Sequence, residues 1–292
     1  MSKTASLRQA VAIIRRVAIG TFNDGFIHAG NLAYLAMLAI FPFFILGAAL
    51  FDLIGGRENA VAMVGAVMRA MPPTVAAVIA PVAETVIFAR SGMLLWLGAG
   101  IGLWTVSSLI ETIRDILRRA YKAPMVQAFW MTRLFSAGLI LAAVVVLMLS
   151  LFAQMVIGAV QEVILAAVPQ LGELIATLSG ARIVPALGVA ASLWVLFVTL
   201  TPPKYRKAGA PRWPGALFTT LWWIAVAVAL PVVLRYFFTY DLTYGSLAGS
   251  MVTLLFFWLV GLGLVIGAEL NAALALEGRI APLDEASEEK TQ

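Results

Sequence analysis

The chain has 292 residues, 62% of them hydrophobic and 12% charged, with a formal net charge of +5 and a mean hydropathy of +0.97. A soluble domain is about half apolar and about a quarter charged, so this composition excludes soluble α/β enzyme folds, disorder and fibrous repeats, and makes the bilayer the solvent. The absence of cysteine removes disulfides, thiolate metal sites and cysteine nucleophiles. A single histidine, His28, leaves no second imidazole for a His-rich metal site or proton relay.

In chain order, Val11, Ile14, Val17 and Ala18 recur at helical spacing with Arg8, Arg15 and Arg16 among them. This predicts an amphipathic helix over about residues 7–22, lying on the inner membrane surface or packed on cytoplasmic loops. The first 30 residues lack an apolar stretch followed by a small-residue cleavage site, so the first span reads as a mature helix. A helix needs about 20 apolar residues to cross the hydrocarbon core. Six runs qualify, at roughly 31–54, 92–113, 134–158, 183–201, 214–238 and 250–275. The expected fold class is all-α, a six-transmembrane-helix bundle forming one membrane domain over 1–278, with additional interfacial or periplasmic helices. These extra helices are expected at 60–71 and 74–88, on either side of Pro72-Pro73, and at 160–178. Residues 279–292 read as an acidic, disordered cytoplasmic tail.

Positive charge orients such a bundle. Lys3, Arg8, Arg15 and Arg16 precede the first run, Arg114, Arg118, Arg119, Lys122 and Arg133 follow the second, Lys204, Arg206, Lys207 and Arg212 follow the fourth, and Arg279 and Lys290 follow the sixth. These are fifteen of the twenty Lys and Arg residues. They place both termini in the cytoplasm of a multi-pass protein of the bacterial inner membrane.

Polar groups inside a span are expensive and become functional candidates by default. Glu111 and Glu269 each lie about 20 residues into an inward-running span and so reach a similar depth near the inner leaflet. Arg114 follows Glu111 by one turn, Asn271 follows Glu269, and Asp24, His28 and Asn31 open the first span at that level. The bland alternative is a set of interfacial pairs that tether helix to helix, with His28 a satisfied interfacial histidine. Tyr244, Gly245 and Ser246 precede the last span in "TYGSLAGS", a stretch that reads as close packing or as an interrupted helix bounding a substrate site. Pro42 and Pro231 invite kinks. The chain carries no phosphate-cradling glycine loop, zinc-protease helix or nucleophile elbow, and Asp24, Asp52, Asp115 and Asp241 all sit at span ends. No catalytic residue, metal set or cofactor is therefore assigned.

Three stretches, "HAGNLAYLAMLAIFPFFIL" at 28–46, "WTVSSLIETIRDILRRAY" at 104–121 and "YGSLAGSMVTLLFFWLVGLGLVIGAELNAAL" at 244–274, resemble the YihY/BrkB family of bacterial inner-membrane proteins in order and spacing. The resemblance implies six spans with cytoplasmic ends. It puts weight on Asn31, Tyr34, Pro42, Glu111, Arg114, Tyr121, Tyr244, Gly245, Ser246, Glu269 and Asn271. Where the family often has "AAALAYYAL", this chain has "AGNLAYLAML", so a role for Asn31 belongs to this sequence.

Labels carried by the family include ribonuclease BN and a virulence or serum-resistance factor. RNA hydrolysis would need a metal-binding cluster in water, whereas the loops here are short and basic. The expected function is transport, as a transporter or flippase for an anionic lipid or lipid-like substrate entering an inner-leaflet polar cavity. The expected cavity set is Asn31, Tyr34, Glu111, Arg114, Tyr244, Ser246, Glu269 and Asn271, with Glu269 coupling to protons. Membrane lipids are the expected partners, and nucleic acid is not. The alternatives are a non-catalytic envelope scaffold and, last, a membrane hydrolase or ribonuclease.

Overall fold

The computed structural model describes residues 3–54, 61, 64–65, 67–69, 71–89, 93–124, 130–143, 183–206, 211–237 and 247–288. Among these residues every regular element is helical. The elements are α1 (Lys3–Gly20), a π-helical turn (Thr21–Gly25), α2 (Phe26–Ile54), α3 (Pro73–Ala89), α4 (Met93–Ala120), α5 (Trp130–Ala143), α6 (Ile183–Leu200), α7 (Pro203–Arg206), α8 (Trp213–Phe237) and α9 (Ala248–Glu288). Three segments, Phe26–Leu46, Trp213–Tyr236 and Ala248–Leu276, are long and apolar enough to cross a membrane. Residues 160–178 and the second half of the run at 134–158 lie outside the described residues.

The helix boundaries differ from the sequence reading in physically informative ways. The amphipathic segment and the first apolar run are not separated by a loop, because one helical rod passes from Lys3 to Ile54 through the π turn. In lipid an internally bonded backbone is favoured over a break, and the glycines at 20, 25 and 30 do not interrupt it. α9 likewise continues to Glu288, into the segment expected to be disordered from 279, where Ala, Leu and Glu are good helix formers. The break expected at Pro72-Pro73 is present. α3 opens with Pro73 in its first turn, and the Pro72 carbonyl accepts from the N–H groups of Val75 (3.0 Å) and Ala76 (2.9 Å).

α4 ends in a left-handed cap. Lys122 has φ of 50°, its N–H donates to the Arg119 carbonyl (2.9 Å), and the Ala123 N–H donates to the Arg118 carbonyl (2.9 Å). This pair of bonds is the Schellman arrangement, which favours glycine at the left-handed position. A lysine there costs about 1 kcal/mol.

The described chain divides into two compact units. One comprises Ala39–Ser107 and Phe129–Gly188. In it Arg133 of α5 lays its guanidinium 3.9 Å from the centroid of a Trp104 ring and donates to the Trp104 carbonyl (2.9 Å), and Trp130 meets Trp104 edge-on. The other unit comprises Met1–Leu38, Ser108–Ala128 and Val189–Gln292, and its core holds Leu117, Tyr121, Phe197, Thr219 and Asn271. α8 and α9 run antiparallel there, tied by side chains that bond the facing backbone. Gly215 N–H donates to Asn271 Oδ1 (2.8 Å), and Thr219 Oγ1 donates to the Gly263 carbonyl (3.2 Å). Trp222 Nε1 donates to the Leu259 carbonyl (2.8 Å), and Trp223 Nε1 to the Val260 carbonyl (2.9 Å).

At Gly215 a β-carbon would collide with the Gly267 carbonyl oxygen and the Asn271 amide. Gly215→Ala should therefore push α8 from α9 and lower stability by about 1–3 kcal/mol, read as a lower Tm of the detergent-purified protein. An unchanged Tm would contradict the close approach.

Candidate functional site

α1 has two unlike faces. Ala12, Arg15, Arg16, Ile19, Gly20 and Asn23 recur at helical spacing and line a polar cavity of about 500 Å³. Ile13, Ile14, Val17, Ala18 and Thr21 line a separate apolar cleft of about 440 Å³, together with Phe22, Phe26 and Phe218. α9 is divided the same way, with Val265 and Glu269 on the polar cavity and Ile266 and Leu270 on the apolar cleft. Asn23 and His28, five residues apart, both reach the polar cavity, because the π turn between them adds a residue to the helical repeat. The end of α4 closes the cavity with Ile116, Arg119, Ala120 and Lys122.

Glu269 sits against the last turn of α1. A β-carbon built on Gly20 would lie 2.5 Å from Glu269 Oε2, so a larger residue there would require the carboxylate to shift. Four cations share the cavity with it: Arg15, Arg16, Arg119 and Lys122. Asp115 holds Arg119 in place by accepting from its Nε (2.8 Å), and it also bonds Arg118. Burial pushes the Asp115 carboxyl up, but the hydrogen bonds from Arg118 and Arg119 outweigh this and hold its pKa below the usual carboxylate value.

A second network joins the C-terminal ends of α4 and α6, the start of α8 and the middle of α9. Tyr121 is buried, with its ring 5.1 Å from that of Tyr205. Its hydroxyl is hydrogen-bonded with Thr201, and burial pushes the phenol pKa above its ordinary value. Arg206 donates to the Thr201 carbonyl, and Arg212 donates to the carbonyls of Tyr205 (2.6 Å) and Arg206 (2.7 Å). Asn271 Nδ2 donates to the Arg212 carbonyl (3.0 Å) while its Oδ1 accepts from Gly215.

The sequence-derived site residues are thus distributed rather than gathered. Glu269 lines the cavity, whereas Asn271 is fully buried and fastens α9 to the start of α8. Glu111 and Arg114 are half-buried and interact electrostatically one turn apart, with Arg206 also near Arg114, and neither lines the cavity. Asn31 and Tyr34 are exposed, and Tyr244 and Ser246 lie outside the described residues. Sequence reasoning missed Arg15, Arg16, Arg119 and Lys122 as lining groups. The signal is the helical spacing of Arg15 and Arg16 with Ala12, Ile19, Gly20 and Asn23, on a helix that the sequence assigns to the inner membrane surface or to packing on cytoplasmic loops. Among the described residues no three His, Asp or Glu side chains converge as a metal set.

Two outcomes follow from these networks. Asn271→Ala removes two buried hydrogen bonds and leaves the Gly215 N–H and Arg212 carbonyl unpaired, so stability should fall by about 2–4 kcal/mol, measured by thermal unfolding in detergent. Because the Asp115 pKa is lower in the folded than in the unfolded chain, its contribution is present above about pH 4 and disappears as pH falls through the folded value. Asp115→Asn should therefore lower Tm at neutral pH, and the Tm curves of variant and wild type should converge below about pH 4. A constant gap across that range would contradict the ion pair.

The family described as "Virulence factor BrkB" matches residues 21–291. The chain is 27% identical over 258 residues to a protein of Bacillus subtilis named as ribonuclease-like, YfkH, an alignment covering 87% of this chain and 91% of that one. It is 24% identical over 264 residues to a UPF0761 membrane protein of Pseudoalteromonas translucida, covering 86% of this chain and 81% of that one. No solved structure matches the chain. The chain belongs to the BrkB family and is a membrane protein.

Proposed function

We propose that the protein moves an anionic lipid or lipid-like substrate across the bacterial inner membrane by way of the cavity at Glu269, with both termini and the cavity mouth on the cytoplasmic side. The observation that supports this most directly is the cavity itself, with Arg15, Arg16, Arg119 and Lys122 grouped around one carboxylate within about 500 Å³. That volume suits a headgroup-sized ligand. Grouped cations near the inner leaflet draw anionic headgroups toward the protein, and the distribution of Lys and Arg along the chain supports the cytoplasmic assignment. Glu269 is the coupling group in this reading. Its carboxylate repels an anion when ionised and admits it when protonated, which links substrate entry to proton uptake.

Proteoliposomes carrying labelled anionic phospholipid, with a leaflet-selective quencher as readout, test the proposal. Wild type should move the label faster than empty vesicles do, and faster still under a proton gradient, whereas Glu269→Gln, with no titrating carboxyl, should lose the response to the gradient. Movement by wild type no faster than in empty vesicles under both conditions would overturn it.

A further inference from the structure

The apolar cleft on the second face of α1 is separate from the Glu269 cavity, and three of its walls come from the segments long enough to cross a membrane. Phe26 begins the span Phe26–Leu46, Phe218 lies near the start of Trp213–Tyr236, and Ile266 and Leu270 lie toward the end of Ala248–Leu276. These positions set the cleft at one end of the spans, at the depth of a single leaflet, with α1 as the remaining wall. The aromatic walls are held in place. Phe218 stacks on Trp222 (ring centroids 6.1 Å apart), which is itself tied to the Leu259 carbonyl, and Phe26 stacks on Trp258 (5.9 Å). Rings fixed in this way resist collapse and make the cleft a preformed one.

Among the described lining residues only Thr21 has a polar side chain, and its Oγ1 is buried rather than presented to the open space. Water in such a cleft finds no hydrogen-bond partners, and an empty cleft forfeits the dispersion contacts of its walls, so the occupant is apolar. Volume sets its thickness. An α-helix with its side chains, about 10–12 Å across, fills roughly 120–170 Å³ per residue, so a cleft of about 440 Å³ holds one turn at most. A partner helix therefore rests on the cleft rather than in it, whereas a hydrocarbon chain lies within. Leu217 and Leu221 of α8 stand beside Phe218 and are exposed, and the apolar face they begin continues through Ile224 and Val228. On a span such a face meets acyl chains, which gives a chain its way in. We infer that the cleft between α1, α8 and α9 is a binding site for one acyl chain, seated among Ile14, Val17, Phe22, Phe26 and Phe218. The site is distinct from the Glu269 cavity and does not rest on the transport reading. A membrane phospholipid and a free fatty acid share the chemistry it recognises.

The test is photolabelling of the full chain in vesicles, with phosphatidylglycerol and palmitic acid as separate probes, each carrying a diazirine on its chain, and the labelled residues mapped by peptide mass. Label should concentrate at Ile14, Phe22 and Phe218 above its level at Val228 on the open face of α8, and excess unlabelled probe should remove it from the cleft while leaving Val228 labelled. Ala18→Trp and Ile14→Trp each put an indole into the cleft and should lose the cleft label while keeping that at Val228. Ile14 is 68% exposed, so the second variant keeps the test open if the first fails to fold. Cleft labelling by the phospholipid supports the inference with a membrane lipid as the source, and labelling by palmitic acid alone supports it with a free fatty acid. Cleft label no stronger than that at Val228, label unchanged in the filled variants, or cleft residues that cross-link to a second copy of the chain in place of the probe would overturn it. Cleft labelling without lipid movement would leave this inference standing and sink the transport reading, and lipid movement without cleft labelling would do the reverse.

Discussion

The antiparallel seam between α8 and α9 is the constraint on which the candidate site depends. Its side chains bond backbone groups on the facing helix, with Asn271 at one end and Trp222 and Trp223 toward the other. Such bonds fix rotation as well as distance, because each needs its donor opposite one carbonyl. Once Asn271 is turned into α8, Glu269 is determined too. Two residues along an α-helix rotate the side chain by about 200°, so the carboxylate emerges on the other side of α9, against α1. Two neighbouring polar residues, which look like one cluster in the sequence, therefore do different work.

The helical class and several boundaries were legible because apolar length and proline placement act locally. Ile183–Leu200 and Trp213–Phe237 fall within a residue or so of the runs that predicted them, and Pro73 opens α3 where the proline pair predicted a break. The continuity of α1 into α2 was not legible. The sequence pattern ends one helix at about residue 22 and begins the apolar run at about 31, whereas in the structure a π turn carries one into the other. Depth along a span, the main guide to the site, gives a level but no azimuth. It put Glu269 and Asn271 at one level and could not separate their azimuths, and although it set Arg114 one turn from Glu111 it could not show that this pair lies off the cavity. The arginines of α1 were counted for orientation, and only packing reveals which cavity they line.

The two faces of α1 give the N-terminal segment a physical role beyond anchoring. One face brings guanidinium groups to a polar cavity, the other brings Ile13, Ile14 and Val17 to an apolar cleft, and both lie against α9. A helix with a cationic face and an apolar face suits the level where headgroups meet acyl chains. Gly20 lies against the Glu269 carboxylate, which shares its cavity with the cations of α1 and of the end of α4.

The central claim is that the Glu269 cavity opens to the cytoplasm. The chain has no cysteine, and Asn23 is an exposed lining residue, so a single Asn23→Cys substitution followed by a membrane-impermeant maleimide reports the opening directly. The account predicts labelling in inside-out vesicles and none in intact spheroplasts. Labelling in spheroplasts would contradict it.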